Sequence, residues 1–276
     1  MPELPEVETV RRGLESKVIG KKIASTEILW SRIIENDSVE FTNSIIGQEI
    51  VSVSRRGKFL IFHLSNSDLI SHLRMEGKFE YYEKPTDVSK HTHVILHFSD
   101  QSQLRYLDVR KFGRMKLVEK GQALSEKNLA SLGPEPIAKD FDLKEFQKAL
   151  KMKHKAIKPV LLEQKLVVGL GNIYVDEVLW LAKIHPLTLA DKLTKKQTEV
   201  LHEAIIDIMA RSIAAGGSTI RTYLNALGDA GNFQKELKVY GQQNQPCARC
   251  GTIISKIKVA GRGTHFCPKC QKVRLE

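Results

Sequence analysis

Residues 247–270 read CARCGTIISKIKVAGRGTHFCPKC, and how this stretch is read decides the C-terminal fold. The two C-x2-C pairs hold all four cysteines of the chain, with sixteen residues between them. One C-x2-C unit places two thiolates at adjacent corners of a tetrahedron. A second completes a closed zinc site, here Cys247, Cys250, Cys267 and Cys270. Two disulfides would suit a secreted chain, but no basic start followed by an apolar stretch marks a signal peptide. A thioredoxin-type redox pair would need a surrounding βαβ pattern, and there is none. Between the pairs, Ile257 and Val259 alternate with Lys256 and Lys258, the chain turns at Gly261–Gly263, and strand character resumes. That pattern predicts a β-hairpin. Arg262 then falls at the tip between two glycines. It is either presented to something outside or is a solvated turn arginine.

The same stretch is basic, and so is the chain. Lys and Arg number 43 against 32 Asp and Glu, a formal charge of +11. Such an excess points to an anionic partner, with nucleic acid first among the candidates. The charge is also concentrated. Residues 246–276 carry Arg249, Lys256, Lys258, Arg262, Lys269, Lys272 and Arg274 against Glu276 alone, and KMKHKAIK occupies 151–158. Clusters of this kind suit a surface that follows phosphates. At 276 residues, two domains are expected. No run of about 18 apolar residues is present to span a bilayer, and a cytoplasmic location is expected.

Working back toward the N-terminus, the pattern divides. Val7, Val10, Leu14 and Val18 share one face of a helix that Gly20 ends, and Pro5 is tolerated in its first turn. From about 23 to 118, IASTEIL, FLIFHL, DLISHLR, HVILHF and QLRYL read as short strands separated by turn signals, which predicts an antiparallel sandwich. GPEPIAKDFD, 133–142, reads as a linker. Helical periods follow in KEFQKAL, IKPVLLEQKLV, NIYVDEVLWLAKIH and TKKQTEVLHEAIIDIMARSIAAGG. GLG at 169–171 joins the second and third. It is not a dinucleotide fingerprint, because the third glycine position is Tyr174 and no strand precedes it. The helix start near Asn172 could hold a phosphate, or the turn could simply be capped by Asn172. The glycine-rich segment 227–232 reads as a mobile loop.

The opening MPELPEVE raises a chemical possibility. With Met1 removed, Pro2 carries a secondary α-amine, and α-amines have a pKa of about 8. Such an amine attacks electrophilic carbon, and a secondary one gives an iminium that stays cationic. Glu3 would stand beside it as an acid. The alternative is an ordinary N-terminal proline, with Glu3, Glu6 and Glu8 favouring the helix start. SRRGKFL, 54–60, sets Lys58 directly after a glycine. HLRMEGK, 72–78, places Met75 between Arg74 and Lys78, and DVRKFGR, 108–114, places Phe112 among Arg110, Lys111 and Arg114. Apolar wedges amid arginines are used to enter a base stack, although each feature alone also fits core plus surface.

Taken in order, MPELPEVETV, SRRGK, HLRM, KHTH, DVRKFG, LGPEP, QKLVVGLGNIYVDE, IHP and the terminal GRGTHFCPKCQ resemble the bacterial formamidopyrimidine-DNA glycosylases, over almost the whole chain. The resemblance implies an α+β protein. Residues 1–133 would form a catalytic β-sandwich flanked by helices, 134–150 a linker and first helix, 151–240 a helical domain with a helix-two-turns-helix, and 241–276 a zinc finger. It implies a monomeric enzyme that removes oxidised purines, 8-oxoguanine and formamidopyrimidines, from double-stranded DNA. The strand is then cut at the abasic site by β,δ-elimination. One structural zinc and no organic cofactor are expected.

By position, Pro2 would be the nucleophile at C1′, Glu3 the acid that helps open the sugar, and Lys58 a proton donor in β-elimination. Arg262 would grip phosphates and assist δ-elimination. His91, Arg110, Lys153 and Asn172 match DNA-contacting positions, and His72 of the HLRM motif joins them. Met75, Arg110 and Phe112 match residues that fill the space left by the everted nucleotide. The loop near 227–237 matches the segment that covers the flipped base. No catalytic position departs from the family pattern. Endonuclease VIII, a relative acting on oxidised pyrimidines, is the nearest alternative, but it typically opens PEGPE where this chain has PELPE. A non-catalytic zinc-ribbon DNA-binding protein would explain the charge and cysteines but leave Pro2, Glu3 and Lys58 idle.

Overall fold

The computed structural model describes residues 2–218 and 231–273. The chain divides into two units, Met1–Ala130 with Gly216–Gly231, and Ser131–Ala215 with Asn232–Glu276.

The first unit starts with helix α1, Leu4–Val18, whose buried face is Val7, Val10, Leu14 and Val18 as the spacing predicts. The strands that follow are β1 (Ile23–Ile28), β2 (Ile50–Arg56), β3 (Phe59–Leu64), β4 (Ser67–His72), β5 (Lys78–Tyr82), β6 (Thr92–Phe98), β7 (Gln103–Leu107) and β8 (Arg114–Glu119). They form two four-stranded antiparallel sheets, ordered β1-β6-β7-β5 and β2-β3-β4-β8. Side chains from α1 and both sheets share one core that includes Val10, Leu14, Phe62, Leu69, Phe79, Leu96 and Tyr106. Each such side chain contributes roughly 1.5–3 kcal/mol through burial. The rings of Phe62, Phe79 and Tyr106 form an edge-to-face chain, with centroids 5.3 and 5.2 Å apart. Helix α2, Ser38–Ile45, was not predicted. It is capped by Asp37, whose carboxylate accepts from the N–H groups of Val39 and Glu40. A four-residue helix α3, Lys127–Ala130, closes this part of the chain.

The second unit holds α4 (Leu143–Lys151), α5 (Ile157–Leu162), α6 (Asn172–Leu181) and α7 (Lys195–Ala214), then a hairpin of β9 (Ser255–Val259) and β10 (Arg262–Phe266). Residues 133–142 are pinned rather than loose. Gly133 N–H donates to Gln164 O at 2.8 Å, and Phe141 is buried against Phe146 and His202. Helix α5 ends five residues short of the predicted span. Gln164 has a left-handed φ of 62°, and its side-chain amide donates to Leu170 O and accepts from Gly169 N–H. The turn before α6 is thereby built by a side chain that also stops α5.

No helix among the described residues is long and apolar enough to cross a membrane. Of the predicted loop at 227–232, residues 227–230 lie outside the described residues, as do 219–226 before it. Of the 227–237 segment, the described part contains a short 3-10 turn at Phe233–Lys235.

Candidate active site and nucleic-acid interface

Pro2 and Glu3 are buried at the start of α1, where Glu3 is the N-cap and is 2% exposed. Glu6 fixes this end. Its Oε2 accepts the Glu3 N–H at 2.8 Å, the reach-back of a capping box. Its Oε1 accepts from Ser218 N–H at 2.7 Å and Ser218 Oγ at 3.2 Å. A Cβ on Gly217, where φ is +77°, would lie 2.8 Å from that same oxygen, so the close approach requires glycine. Sequence reading assigned Glu6 only to the helix start. Its second partner lies 212 residues away, and no local signal announces it.

Lys58 occupies a two-residue turn between paired residues Arg56 and Phe59, preceded by Gly57 at φ +55°. A left-handed first position is what a tight hairpin of this type needs. Lys58 is only 7% exposed. The turn is braced from α1. Glu8 accepts from Arg55 Nε at 3.1 Å, and Arg55 Nη1 donates to Gly57 O at 3.1 Å. Glu8 also pairs with Arg11 and Arg12 at 3.1 and 2.9 Å. Burial pushes the Glu8 carboxyl upward, but hydrogen bonds from Arg11 and Arg55 and their charges outweigh it, so its pKa is lowered.

Two loops of this unit carry the residues expected to act as wedges. The first, after β4, exposes Met75 (36%), with Arg74 in the left-handed region at φ 57°. His72 stands behind it. Its Nδ1 accepts the Arg74 N–H at 2.9 Å, and its ring meets Phe59 edge-on at 4.5 Å. Burial, then the charges of Arg74 and Lys58, lower its pKa to about 3, so it is neutral at ordinary pH. The second loop, after β7, exposes Phe112 (47%), with the Arg110 guanidinium 4.8 Å from its ring centre. Asp108 organises it, accepting from Arg110 N–H at 2.9 Å, Phe112 N–H at 2.9 Å and Gly113 N–H at 2.8 Å. His91 lies before β6, and its carbonyl accepts from Asp108 N–H at 2.9 Å. His72 is thus largely buried, with its side chain holding the Arg74 backbone beside Met75; its burial and left-handed neighbour were not visible in HLRM.

In the second unit, Lys153 is only partly exposed and donates to Glu163 at 3.0 Å. Asn172 is the first residue of α6, and Gly171 is the N-cap without a side-chain bond. Of the two readings of this helix start, the cap by Asn172 is not the one formed. Its Nδ2 instead donates to Gly263 O in the hairpin at 2.9 Å. The hairpin turns at Ala260 and Gly261, both left-handed, and Arg262 pairs with Val259 as the first residue of β10. Arg262, Lys256 and Lys258 are exposed. Behind them, buried Lys158 Nζ meets Asp176 Oδ1 at 2.6 Å and Gly263 O at 3.4 Å. Asp176 Oδ2 accepts the His265 N–H at 2.8 Å. Glu177 collects the N–H groups of Lys238, Val239 and Tyr240 at 2.9, 2.9 and 2.8 Å. Neither acid was assigned from sequence. Both sit in NIYVDEV, where the helical period alone hides their long-range partners.

At the root of the hairpin, the sulfurs of Cys247, Cys250, Cys267 and Cys270 lie within 4.8 Å of one another. A tetrahedral ion with Zn–S bonds of about 2.3 Å separates its sulfurs by about 3.8 Å, so the set fits zinc. The thiols are unequal. Hydrogen bonds to Thr252 bring Cys250 down to about 6, while burial pushes Cys270 up to about 12. A bound cation would take all four as thiolates and release protons. Trp180 Nε1–H donates to Cys247 Sγ at 3.4 Å, and Arg249 stacks 4.0 Å from the Trp180 ring centre.

Comparison with known proteins covers the same segments. Residues 1–115 match the formamidopyrimidine-DNA glycosylase N-terminal domain, 132–224 the H2TH domain of the same enzymes, and 244–273 a zinc finger found in FPG and IleRS. A formamidopyrimidine-DNA glycosylase of Enterococcus faecalis is 59% identical over 275 residues, 99% of this chain and 98% of its own length. One from Bacillus licheniformis is 51% identical, over 99% and 100%. Two solved structures of Lactococcus lactis Fpg each superpose with a TM-score of 0.94 at 50% identity. One is bound to DNA containing an abasic site and covers 98% of this chain and 99% of that one. The other is bound to N7-benzyl-Fapy-dG DNA and covers 98% and 100%.

Proposed function

The chain belongs to the formamidopyrimidine-DNA glycosylase family, and from that premise we propose how its own residues perform the reaction. The protein is a DNA glycosylase that excises oxidised purines from duplex DNA, with the abasic-site lyase activity typical of the family. Its four cysteines hold one structural zinc, and its partner is damaged double-stranded DNA, which it engages as a monomer. It acts in the bacterial cytoplasm, at the nucleoid.

Once Met1 is removed, the Pro2 nitrogen attacks C1′ of the damaged nucleotide, and the glycosidic bond breaks as the base leaves. Glu3 protonates the ring oxygen so that the sugar opens, leaving an iminium between Pro2 and C1′. Lys58 then serves the proton transfer of β-elimination, in which the C2′ proton is lost and the 3′ phosphate leaves. A second elimination expels the 5′ phosphate, assisted by Arg262. Met75, Arg110 and Phe112 fill the vacated stack, offsetting part of the few kcal/mol that eversion costs. His91, Lys153 and Asn172 belong to the DNA-contacting set. Residues 1–133 carry the chemistry, 151–240 the helix-two-turns-helix, and 241–276 the zinc finger, with 134–150 connecting them.

The observation that carries this reading is the buried, capped Pro2–Glu3 terminus. A loose chain end needs no carboxylate latched both to its own backbone and to residue 218. Borohydride trapping tests it. Incubation with an 8-oxoguanine duplex should join the protein covalently to DNA, with mass spectrometry placing the adduct on Pro2. Pro2→Gly, or a permanent N-terminal extension, should trap poorly. Equal trapping by the extended protein would overturn the N-terminal mechanism. Faster cleavage of 8-oxoguanine than of thymine-glycol duplexes separates this reading from the pyrimidine-directed one.

A further inference from the structure

Tyr106 is buried on β7, and its hydroxyl stands against two loops at once. A Cβ added to Gly77 would lie 2.1 Å from this oxygen, and one added to Gly113 would lie 1.7 Å from it. Only glycine lets both backbones close on the phenol. Gly77 follows Met75 by two residues, and its N–H closes that loop by donating to Leu73 O at 3.0 Å. Gly113 directly follows Phe112. The phenol cannot retreat, because its ring packs edge-to-face on Phe79 at 5.2 Å within the sandwich core. Asp108 completes the arrangement. Its Oδ2 lies 3.5 Å from the Tyr106 hydroxyl while accepting the N–H groups of Phe112 and Gly113, and its Oδ1 accepts that of Arg110.

We propose that Tyr106 and Asp108 are positioning residues that mount the Met75 loop and the Arg110–Phe112 loop on one buried post, so that both wedges enter the base stack as a single rigid body. The proposal rests on the reading of Met75, Arg110 and Phe112 as gap-filling residues. A side chain pushed into stacked bases works only if its own backbone does not yield. Two separate loops would yield independently. Two loops seated on one phenol resist together, so losing either wedge disables the pair.

A double-mutant cycle tests this. Single-turnover excision of 8-oxoguanine is measured for Met75→Ala, Phe112→Ala and both together, in the parent and in Tyr106→Phe. In the parent, the double variant should be at least about fivefold faster than the product of the two single effects requires, as expected for side chains acting as a unit. In Tyr106→Phe the effects should multiply to within about twofold. Fluorescence of 2-aminopurine opposite the lesion should report the same loss of coupled insertion, which a change in stability alone would not produce. Asp108→Asn, whose one amide oxygen cannot replace both carboxylate oxygens that hold the Arg110, Phe112 and Gly113 N–H groups, is a second route to the same uncoupling. Multiplicative effects in the parent, or coupling that survives both Tyr106→Phe and Asp108→Asn, would overturn the post while leaving the gap-filling reading intact. If both single alanine variants excise at the parental rate, the gap-filling reading falls and the post falls with it.

Discussion

Replacing Asp176 with alanine should destabilise the second unit severely, and the structure says by how much. Lys158 and Asp176 are both fully buried, with Nζ and Oδ1 2.6 Å apart. Removing the acid takes from the buried ammonium its ion-pair partner at 2.6 Å, while the Gly263 O contact at 3.4 Å stays. Breaking a buried pair in this way costs about 3–5 kcal/mol. The His265 N–H loses its acceptor as well, a further 1–3 kcal/mol or so. The two losses share one network and do not simply add, so about 4 kcal/mol is expected, a large share of a stability of roughly 5–15 kcal/mol. Asp176→Asn should cost less, because an amide oxygen can still accept from His265. Lys158→Met with Asp176→Leu should recover most of the loss, since buried ion pairs are often replaceable by apolar side chains of similar size. The assay is urea unfolding followed by Trp180 fluorescence in a Trp30→Phe background. Trp180 lies against the metal-site sulfur Cys247, so it reports the unit in question. A midpoint shift worth less than about 1 kcal/mol for Asp176→Ala, at unchanged slope, would refute the reasoning.

Three other outcomes are expected. His72 has a folded-state pKa near 3, against about 6.5 when unfolded, so the unfolded chain binds the extra proton between those values. Stability should therefore fall by about 1.4 kcal/mol per pH unit as pH drops below 6.5, and that part of the slope should vanish in His72→Gln. Glu8→Gln removes the charge that holds Arg55 against Gly57 O, beside Lys58. It should slow strand cutting at a preformed abasic site more than it slows borohydride trapping, with a barrier increase of about 1–3 kcal/mol; equal slowing of both would count against it. Chelating the zinc should change Trp180 fluorescence and weaken DNA binding. In the metal-loaded protein, Arg262→Ala should reduce the log–log salt slope of binding by about 1.

How much of this was legible in the sequence depended on the range of the interaction. The period of Val7, Val10, Leu14 and Val18 gave α1 its buried face, because a helix records its environment every three to four residues. The cysteine spacing and the Ile257/Val259 alternation gave the zinc hairpin. Strands β2, β5 and β8 escaped notice although KFEYY and RMKLVE alternate, because each is short and charge-rich, and IVSVSRR ends in two arginines. The end of α5 was misplaced because a single left-handed Gln164 overrides an unbroken apolar period. Sheet order was out of reach, since β1 pairs with β6 across four intervening strands and β4 with β8 across three. The catalytic candidates were legible as motif members. What holds them was not: Glu6 needs Ser218, Asp176 needs His265, and Tyr106 needs two glycines from different loops.

The Glu6–Ser218 latch also has a consequence in time. The N-terminus is the first part of the chain to leave the ribosome, yet its seat is completed by a residue made 212 positions later. At about 5–20 residues per second, the interval is on the order of 10–40 s. Through that interval the nascent end is open to methionine removal but has no finished socket. On the proposed mechanism, a chain interrupted before residue 218 should carry the Pro2 amine and still be unable to aim it, so that incomplete translation yields no stray DNA-cutting fragment.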